Sequence, residues 1–377
     1  MRHSMRRTAV IALAAAAAMT LASCAGGAPA PDPSGAPTTG TATDAPVVQQ
    51  NVKIMTTQAA WTISYSPLIV SEELGYFAEE GLTVEWVNDS SAATVATQVQ
   101  QGNIDIGIVS PEPVVIGHEQ GNLTSIYYSS MFRKSIFGVA VPEDSPIKDA
   151  SDLAGARIGV TSLSSSGAAM AKAIAASGGV DEGELTFLAI GAGGQAMAAL
   201  KADEVDALSL FDTQYVTFEN NGIPLRILDR SPIEALTSGG LVALPEKIKE
   251  NPGKYLGAAR AVAKGILFTQ ENPEATVRIF WDRFPEQKPT GMSDDEAMAD
   301  TLSILNARME SYGLHSAGEK WGEFPGTSFE QLIDFMAKYG LISEPIDATG
   351  IYTNEYVPQI NDFDADAVIA DAKNFKG

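Results

Sequence analysis

The chain has 377 residues, 45% of them hydrophobic, and a formal net charge of −22. Nucleic acid is therefore excluded as the expected partner, because phosphate backbones are held by Lys and Arg, and peripheral attachment to anionic lipid is disfavoured. With Cys24 as the single cysteine, no intramolecular disulfide can form.

In chain order, Arg2, Arg6 and Arg7 precede an alanine-rich apolar run from Ala9 to Met19, and Leu21-Ala22-Ser23-Cys24 follows. A charged start, a short apolar stretch and small residues before a cut have the layout of a secretory signal. The run falls well short of the about 20 residues of a membrane-spanning helix. Leu21-Ala22-Ser23-Cys24 resembles the bacterial lipobox. The resemblance implies that residues 1–23 are removed and that Cys24 is acylated, with two or more chains giving stable anchoring. Removal of 1–23 takes away three arginines and no acid, leaving −25. Residues 24–50 lack aromatics and are rich in Ala, Gly, Pro, Ser and Thr, a composition that forms a flexible tether and no core.

Alternating strand and helix signals begin near Asn51. Strands are expected at Val52 to Thr57, Leu82 to Val87 and Ile104 to Val109. Helices are expected at Ser66 to Leu74, at Ala92 to Gln101 and from Pro111. Strand–helix–strand order implies a parallel sheet covered by helices. A connecting strand is expected at Ser135 to Val141. A second series follows, with strands at Arg157 to Thr161, Glu184 to Ile190, Val205 to Leu210 and Ile223 to Leu228. Its helices are expected at Gly167 to Ser177, Gly194 to Ala202 and Thr213 to Asn220. Gly239 to Leu244 reads as a return strand. Beyond Pro245 helical periodicity dominates, at Tyr255 to Gln270, Pro273 to Phe284, Asp294 to Tyr312 and Phe329 to Lys338, punctuated by Gly and Pro. The expected fold is α/β and two-lobed, each lobe a mostly parallel sheet flanked by helices, with a helical C-terminal region. Residues 51–138 and 236–377 form lobe 1 and 139–235 lobe 2, joined by two crossings that make a hinge.

Pro67-Leu68-Ile69-Val70, then Glu73-Leu74-Gly75-Tyr76-Phe77-Ala78-Glu79-Glu80-Gly81-Leu82-Thr83-Val84, carry a specific spacing of Gly-Tyr-Phe and Glu-Gly-Leu. Gln101-Gly102-Asn103-Ile104-Asp105, Ser151-Asp152-Leu153-Ala154-Gly155 and Val205-Asp206-Ala207-Leu208 add three further segments. Together they resemble the nitrate/sulfonate/taurine/thiamine-precursor family of ABC transporter periplasmic solute-binding proteins. The resemblance covers about residues 51–275. It implies the type II periplasmic-binding-protein fold and a small organic ligand: a pyrimidine thiamine precursor, a sulfonate or taurine-like compound, or an aromatic compound. It also implies ABC permease and ATPase subunits as partners. Tyr76 and Phe77 read as core plugs rather than ligand contacts.

In open parallel sheets ligands sit beyond the carboxyl ends of the strands. The candidate ligand residues are therefore the ones that follow each strand. Gln58, Trp61 and Tyr65 follow the first strand, the aromatics as stacking platforms. Asn88, Asp89, Ser90 and Ser91 follow the second. Ser110 and Glu112 follow the third, where an acid in the first helical turn also suits the helix dipole. Ser164, Ser165 and Ser166 open a lobe-2 helix whose free N–H groups make an anion or carbonyl cradle. Gly193, Gln195 and Asp212 complete the set. These loops hold no Arg or Lys, and Arg133 and Lys134 are the nearest basic residues, so a neutral, zwitterionic or aromatic ligand is expected rather than a bare anion.

No catalytic residue, cofactor or metal is expected. His3 lies in the signal, and His118 and His315 stand far apart in segments read as helical, outside any metal-ligand spacing. A pyrimidine-forming enzyme of the resembled fold depends on a cysteine-rich motif and a histidine that this chain lacks. The expectation is a monomeric binding protein on the extracytoplasmic face of the membrane, held by its lipid anchor only. A ligand sensor for a membrane receptor and an enzyme on the same fold are the alternatives.

Overall fold

The computed structural model describes residues 49–376 except Ser90. The segments expected to be signal and tether up to residue 48, Cys24 among them, and Ser90 lie outside the described residues. Among the described residues ten strands are formed: β1 Gln50–Thr56, β2 Leu82–Asn88, β3 Ile106–Val109, β4 Ile126–Phe132, β5 Ala140–Pro142, β6 Arg157–Val160, β7 Thr186–Ala189, β8 Ala207–Ser209, β9 Leu225–Ile227 and β10 Gly239–Ala243. They build two five-stranded sheets, ordered β2-β1-β3-β10-β4 and β7-β6-β8-β5-β9.

Both sheets follow one plan. Three strands run parallel in each, β2-β1-β3 and β7-β6-β8. The strand that arrives from the other lobe, β10 or β5, enters antiparallel beside the third, and a last antiparallel strand closes the edge. The parallel strands need crossover connections, which Ser66–Glu73, Ala92–Gln100, Ser166–Ser177 and Gly194–Lys201 supply. β3 is buried along its whole length, as a strand covered on both faces must be.

Gly75 and Gly81 take φ of +79° and +71°, a region that glycine enters without steric cost. Between them a single turn, Tyr76–Glu79, drives Tyr76 and Phe77 into the core at 4% and 3% exposure. The long helix Pro252–Glu271 packs on Ser66–Glu73, where Ser71 Oγ donates to the Ala261 carbonyl at 2.8 Å. Arg260 and Lys264 on that helix pair with Glu80 and Glu79, fixing the helical tail to the first lobe.

Four features differ from the sequence reading. β4 is a full strand where none was expected, and the connecting strand shrinks to Ala140–Pro142. A last helix, Ala365–Asn374, caps the first-lobe core through Phe375, edge-on to Phe268 at 5.6 Å. His315 lies past the end of helix Asp294–Tyr312, in an exposed turn.

Candidate ligand site

The carboxyl ends of β1 and β3 present the first-lobe groups. Gln58, just beyond β1, is 8% exposed, and both its amide nitrogen and its amide oxygen are buried without a hydrogen-bond partner. Beside it Thr57 Oγ1 lies 3.3 Å from the Tyr65 hydroxyl. Tyr65 ends the short helix Ile63–Tyr65 and packs edge-on to Phe132 at 6.3 Å; burial pushes its phenol up, against the pull of the Arg308 charge. β3 leads to Ser110 and to Glu112, the first residue of helix Glu112–Glu119.

The second lobe answers from the carboxyl end of β6. Helix Ser166–Ser177 begins there, and Ser166 Oγ donates to Glu112 Oε2 at 2.7 Å while lying 2.9 Å from Ser110 Oγ. These bonds join the lobes across the cleft. Glu112 is 5% exposed, and burial pushes its carboxyl up, partly offset by the Ser166 hydroxyl, its own amide and Ser110. Next to it the Ser165 hydroxyl is buried and unpaired. Ser164 is exposed, its hydroxyl 3.4 Å from that of Ser162. The helix start sits tight on β8: a Cβ at Gly167 would stand 2.4 Å from the Ser209 carbonyl oxygen.

Asp212 opens helix Asp212–Asn220. Its Oδ1 accepts a hydrogen bond from Arg308 Nη2 at 2.6 Å and another from the Thr213 amide at 2.7 Å. Arg308 belongs to helix Asp294–Tyr312 of the first lobe and is 2% exposed. Phe132, Phe211 and Tyr312 surround its guanidinium, with ring centroids 5.5, 5.7 and 5.8 Å away. Burial pushes the Asp212 carboxyl up even though Arg308 pulls it down. Burial also opposes the charge on Arg308, and Asp212, Tyr312 and Tyr65 together more than offset it. The guanidinium, which cannot release its proton, lies 2.6 Å from the Asp212 carboxyl. Ser64 Oγ adds a bond to Thr213 Oγ1 at 3.2 Å, and the Tyr312 hydroxyl donates to the Ser64 carbonyl at 3.0 Å.

The reading of Arg133 and Lys134 as the nearest basic residues is corrected by Arg308. It comes from the helical tail, not from a strand-end loop. Arg133, named as a nearest basic residue, is spent on the Lys320 and Glu323 carbonyls and on Glu319.

The other candidates are placed as follows. Trp61 stacks on Phe284 at 6.0 Å and meets Trp86 edge-on at 5.2 Å, within an aromatic cluster of the first lobe. Ser91 caps helix Ala92–Gln100 by accepting from the Thr94 amide at 3.2 Å. The Gly193 amide donates to Gln214 Oε1 at 2.6 Å, and Gln195 is exposed with its side chain folded over Gly191. Ser90 and Cys24 are outside the described residues. The geometry therefore brings together Ser110, Glu112 and Ser166, and separately Asp212 with Arg308, with Tyr65 between Thr57 and the Phe132–Arg308 contact. An open groove of about 750 Å³ lies elsewhere, between Pro273–Arg283 and Asp294–Tyr312, and none of these residues lines it. Among the described residues no cluster of three or more His, Cys, Asp or Glu forms a metal site, and no helix is long and apolar enough to cross a membrane.

The sequence of NMT1/THI5-like proteins matches residues 62–276. The chain belongs to the NMT1/THI5-like family. The riboflavin-binding protein RibY of Chloroflexus aurantiacus is 25% identical over 341 residues, 87% of this chain and 93% of that protein. The formylaminopyrimidine-binding protein of Halalkalibacterium halodurans is 23% identical over 290 residues, 76% and 85% of the two chains. Among solved structures, the alkanesulfonate-binding protein SsuA of Xanthomonas axonopodis pv. citri, bound to MOPS, superposes with a TM-score of 0.60 at 16% identity, over 81% of this chain and 99% of that one. The two sheets and their helices thus form the two-lobed fold of the periplasmic binding proteins.

Proposed function

We propose that this protein is the extracytoplasmic substrate-binding subunit of an ABC importer, which closes two lobes over a small organic solute and hands it to a membrane permease. One observation carries the reading. At the carboxyl ends of β3 and β6 the Ser166 hydroxyl bridges Ser110 and Glu112 across the lobes, while the Gln58 amide and the Ser165 hydroxyl are buried nearby without partners. Buried polar groups are ordinarily hydrogen-bonded, and unspent ones in a cleft are what a ligand uses for orientation. Tyr65, Phe132, Phe211 and Tyr312 supply apolar walls, and the relatives named for riboflavin, formylaminopyrimidine and alkanesulfonate support a planar or sulfonate-bearing solute. The Leu21-Ala22-Ser23-Cys24 sequence supports a lipid anchor outside the membrane; Cys24→Ala should leave unprocessed or mislocalised precursor.

A thermal-shift panel of riboflavin, a formylaminopyrimidine, MOPS and short alkanesulfonates tests the reading. A ligand at about 100 times its Kd stabilises the folded form by about 2.7 kcal/mol, a shift readily seen. Mass spectrometry should return the solute unchanged. Turnover to a product, or no stabilisation by any member, would overturn the assignment.

A further inference from the structure

The buried arginine is the group that the family resemblance and the strand-end logic both leave unused. It carries five N–H donors, and its Nη2 bonds Asp212. Its Nε is buried with no hydrogen-bond partner, on a side chain that is 2% exposed. Three aromatic rings hold the guanidinium in place, so the donor is fixed in direction before anything binds. Arg230 is a second arginine whose charge acts on Asp212. Its Nη2 donates to the Ser135 carbonyl at 2.5 Å, its Nε is likewise buried and unpaired, and its charge also pulls the Asp212 carboxyl down. Glu112, the other acid of the cleft, sits apart against Ser110, Ser166 and Tyr127.

We infer that Arg308 is the specificity-determining residue of the cleft: its free Nε–H takes a carboxylate, or another oxygen bearing negative charge, on the solute, and Asp212 is the residue that positions it. The inference rests on the solute-binding reading and deepens it. It replaces the expectation of a site without cationic groups by one that prefers an acceptor with charge. The bond formed is a charge-assisted one, stronger than a neutral hydrogen bond. A residue that only latched the lobes would weaken all solutes alike, whereas a specificity residue changes the ratio between matched solutes.

The test uses nicotinate and nicotinamide, which share one shape and differ in a carboxylate against a carboxamide. Each is titrated by calorimetry into the mature chain, as wild type, Arg308→Lys, Arg308→Gln and Arg308→Gln with Asp212→Asn. The double variant removes both charges together, so a folded protein is available if Arg308→Gln alone leaves Asp212 too costly to bury. Wild type is expected to bind nicotinate about 10- to 100-fold more tightly than nicotinamide. The preference should vanish in the double variant and return in part in Arg308→Lys. Equal affinity of wild type for the two compounds, no binding of either, or a preference that survives in the double variant would overturn the inference. None of these results touches the panel of the preceding section, in which stabilisation by any member keeps the solute-binding reading standing.

Discussion

Gly167→Ala makes packing and propensity oppose each other. Gly167 is the second residue of helix Ser166–Ser177, where alanine should favour the helix by up to about 1 kcal/mol. A Cβ at this position would stand 2.4 Å from the Ser209 carbonyl oxygen, a backbone atom of β8 that cannot rotate aside. Relief to about 3.0 Å requires the helix start to withdraw by roughly 0.6 Å from a close-packed interior. Overpacking of this kind costs about 1–3 kcal/mol, and an immobile oxygen puts the cost near the upper end, so the net loss is about 2 kcal/mol. With an unfolding entropy of about 2.1 cal/mol/K per residue, or about 0.7 kcal/mol/K over roughly 330 residues, the midpoint should fall by about 3 °C. The same movement draws Ser166 away from Glu112 and Ser110, to which it is held at 2.7 and 2.9 Å. Two hydrogen bonds at about 0.5–1.5 kcal/mol each translate into roughly 5- to 150-fold weaker binding of whichever solute the panel yields. Differential scanning calorimetry and titration calorimetry read both quantities. A variant that melts higher than wild type and binds as well would show that propensity wins and that the helix start does not set the cleft.

Gln58→Met removes a buried amide with no partner, so stability should rise by about 1–2 kcal/mol while solute binding falls at least tenfold; a destabilised variant would mean that the amide is bonded within the protein. Because burial raises the Glu112 carboxyl in the folded chain, the folded state holds this proton more tightly than the unfolded one. Its contribution is fully present below the ordinary carboxylate range and is lost as pH rises through the raised value. Melting curves of wild type and Glu112→Gln between pH 4 and 8 should therefore diverge in favour of the variant as pH rises, and parallel curves would count against the burial argument. Trp61→Ala is expected to cost about 2–3 kcal/mol through lost contact with Phe284 and Trp86, with little change in affinity; a normal melt with weakened binding would return Trp61 to the ligand.

The alternation of strand and helix and the Gly75-Tyr76-Phe77 turn are legible in the sequence, since period and turn chemistry are local. β4 is not. Its run Ile126-Tyr127-Tyr128-Ser129-Ser130-Met131-Phe132 is buried on both faces from Tyr127 onward, so it carries no alternation, and paired serines in its middle imitate a loop. Ser110, Glu112 and Ser166 could be named because each follows a strand end. Their contact across the cleft could not, because residue 110 meets residue 166 only through the crossing of the lobes. Arg308 sits between Ala307 and Met309 on a helix with acids in its first turn, where an arginine reads as part of a solvated face. Packing against helix Asp212–Asn220, Phe132, Phe211 and Tyr312 removes it from water. Ser91 stands ahead of a helix, and its hydroxyl accepts the Thr94 amide as a cap.

The placement of β5 and β10 has a consequence for how the chain assembles. β10 pairs with β3 through Gly240 and Val109, about 130 positions apart, and without it β4 has no neighbour in the first sheet. The second sheet, in contrast, draws all its strands from one continuous stretch, and its first and last strands lie side by side through Ala140 and Ile227. Once that stretch has folded, the two chain ends that leave it are neighbours, and the long loop that separates β3 from β10 is shortened to residues 110–139 on one side and 228–238 on the other. Loop-closure entropy grows with the logarithm of loop length, so the later-synthesised lobe acts as an internal clasp whose folding lowers the barrier for the sheet begun before it.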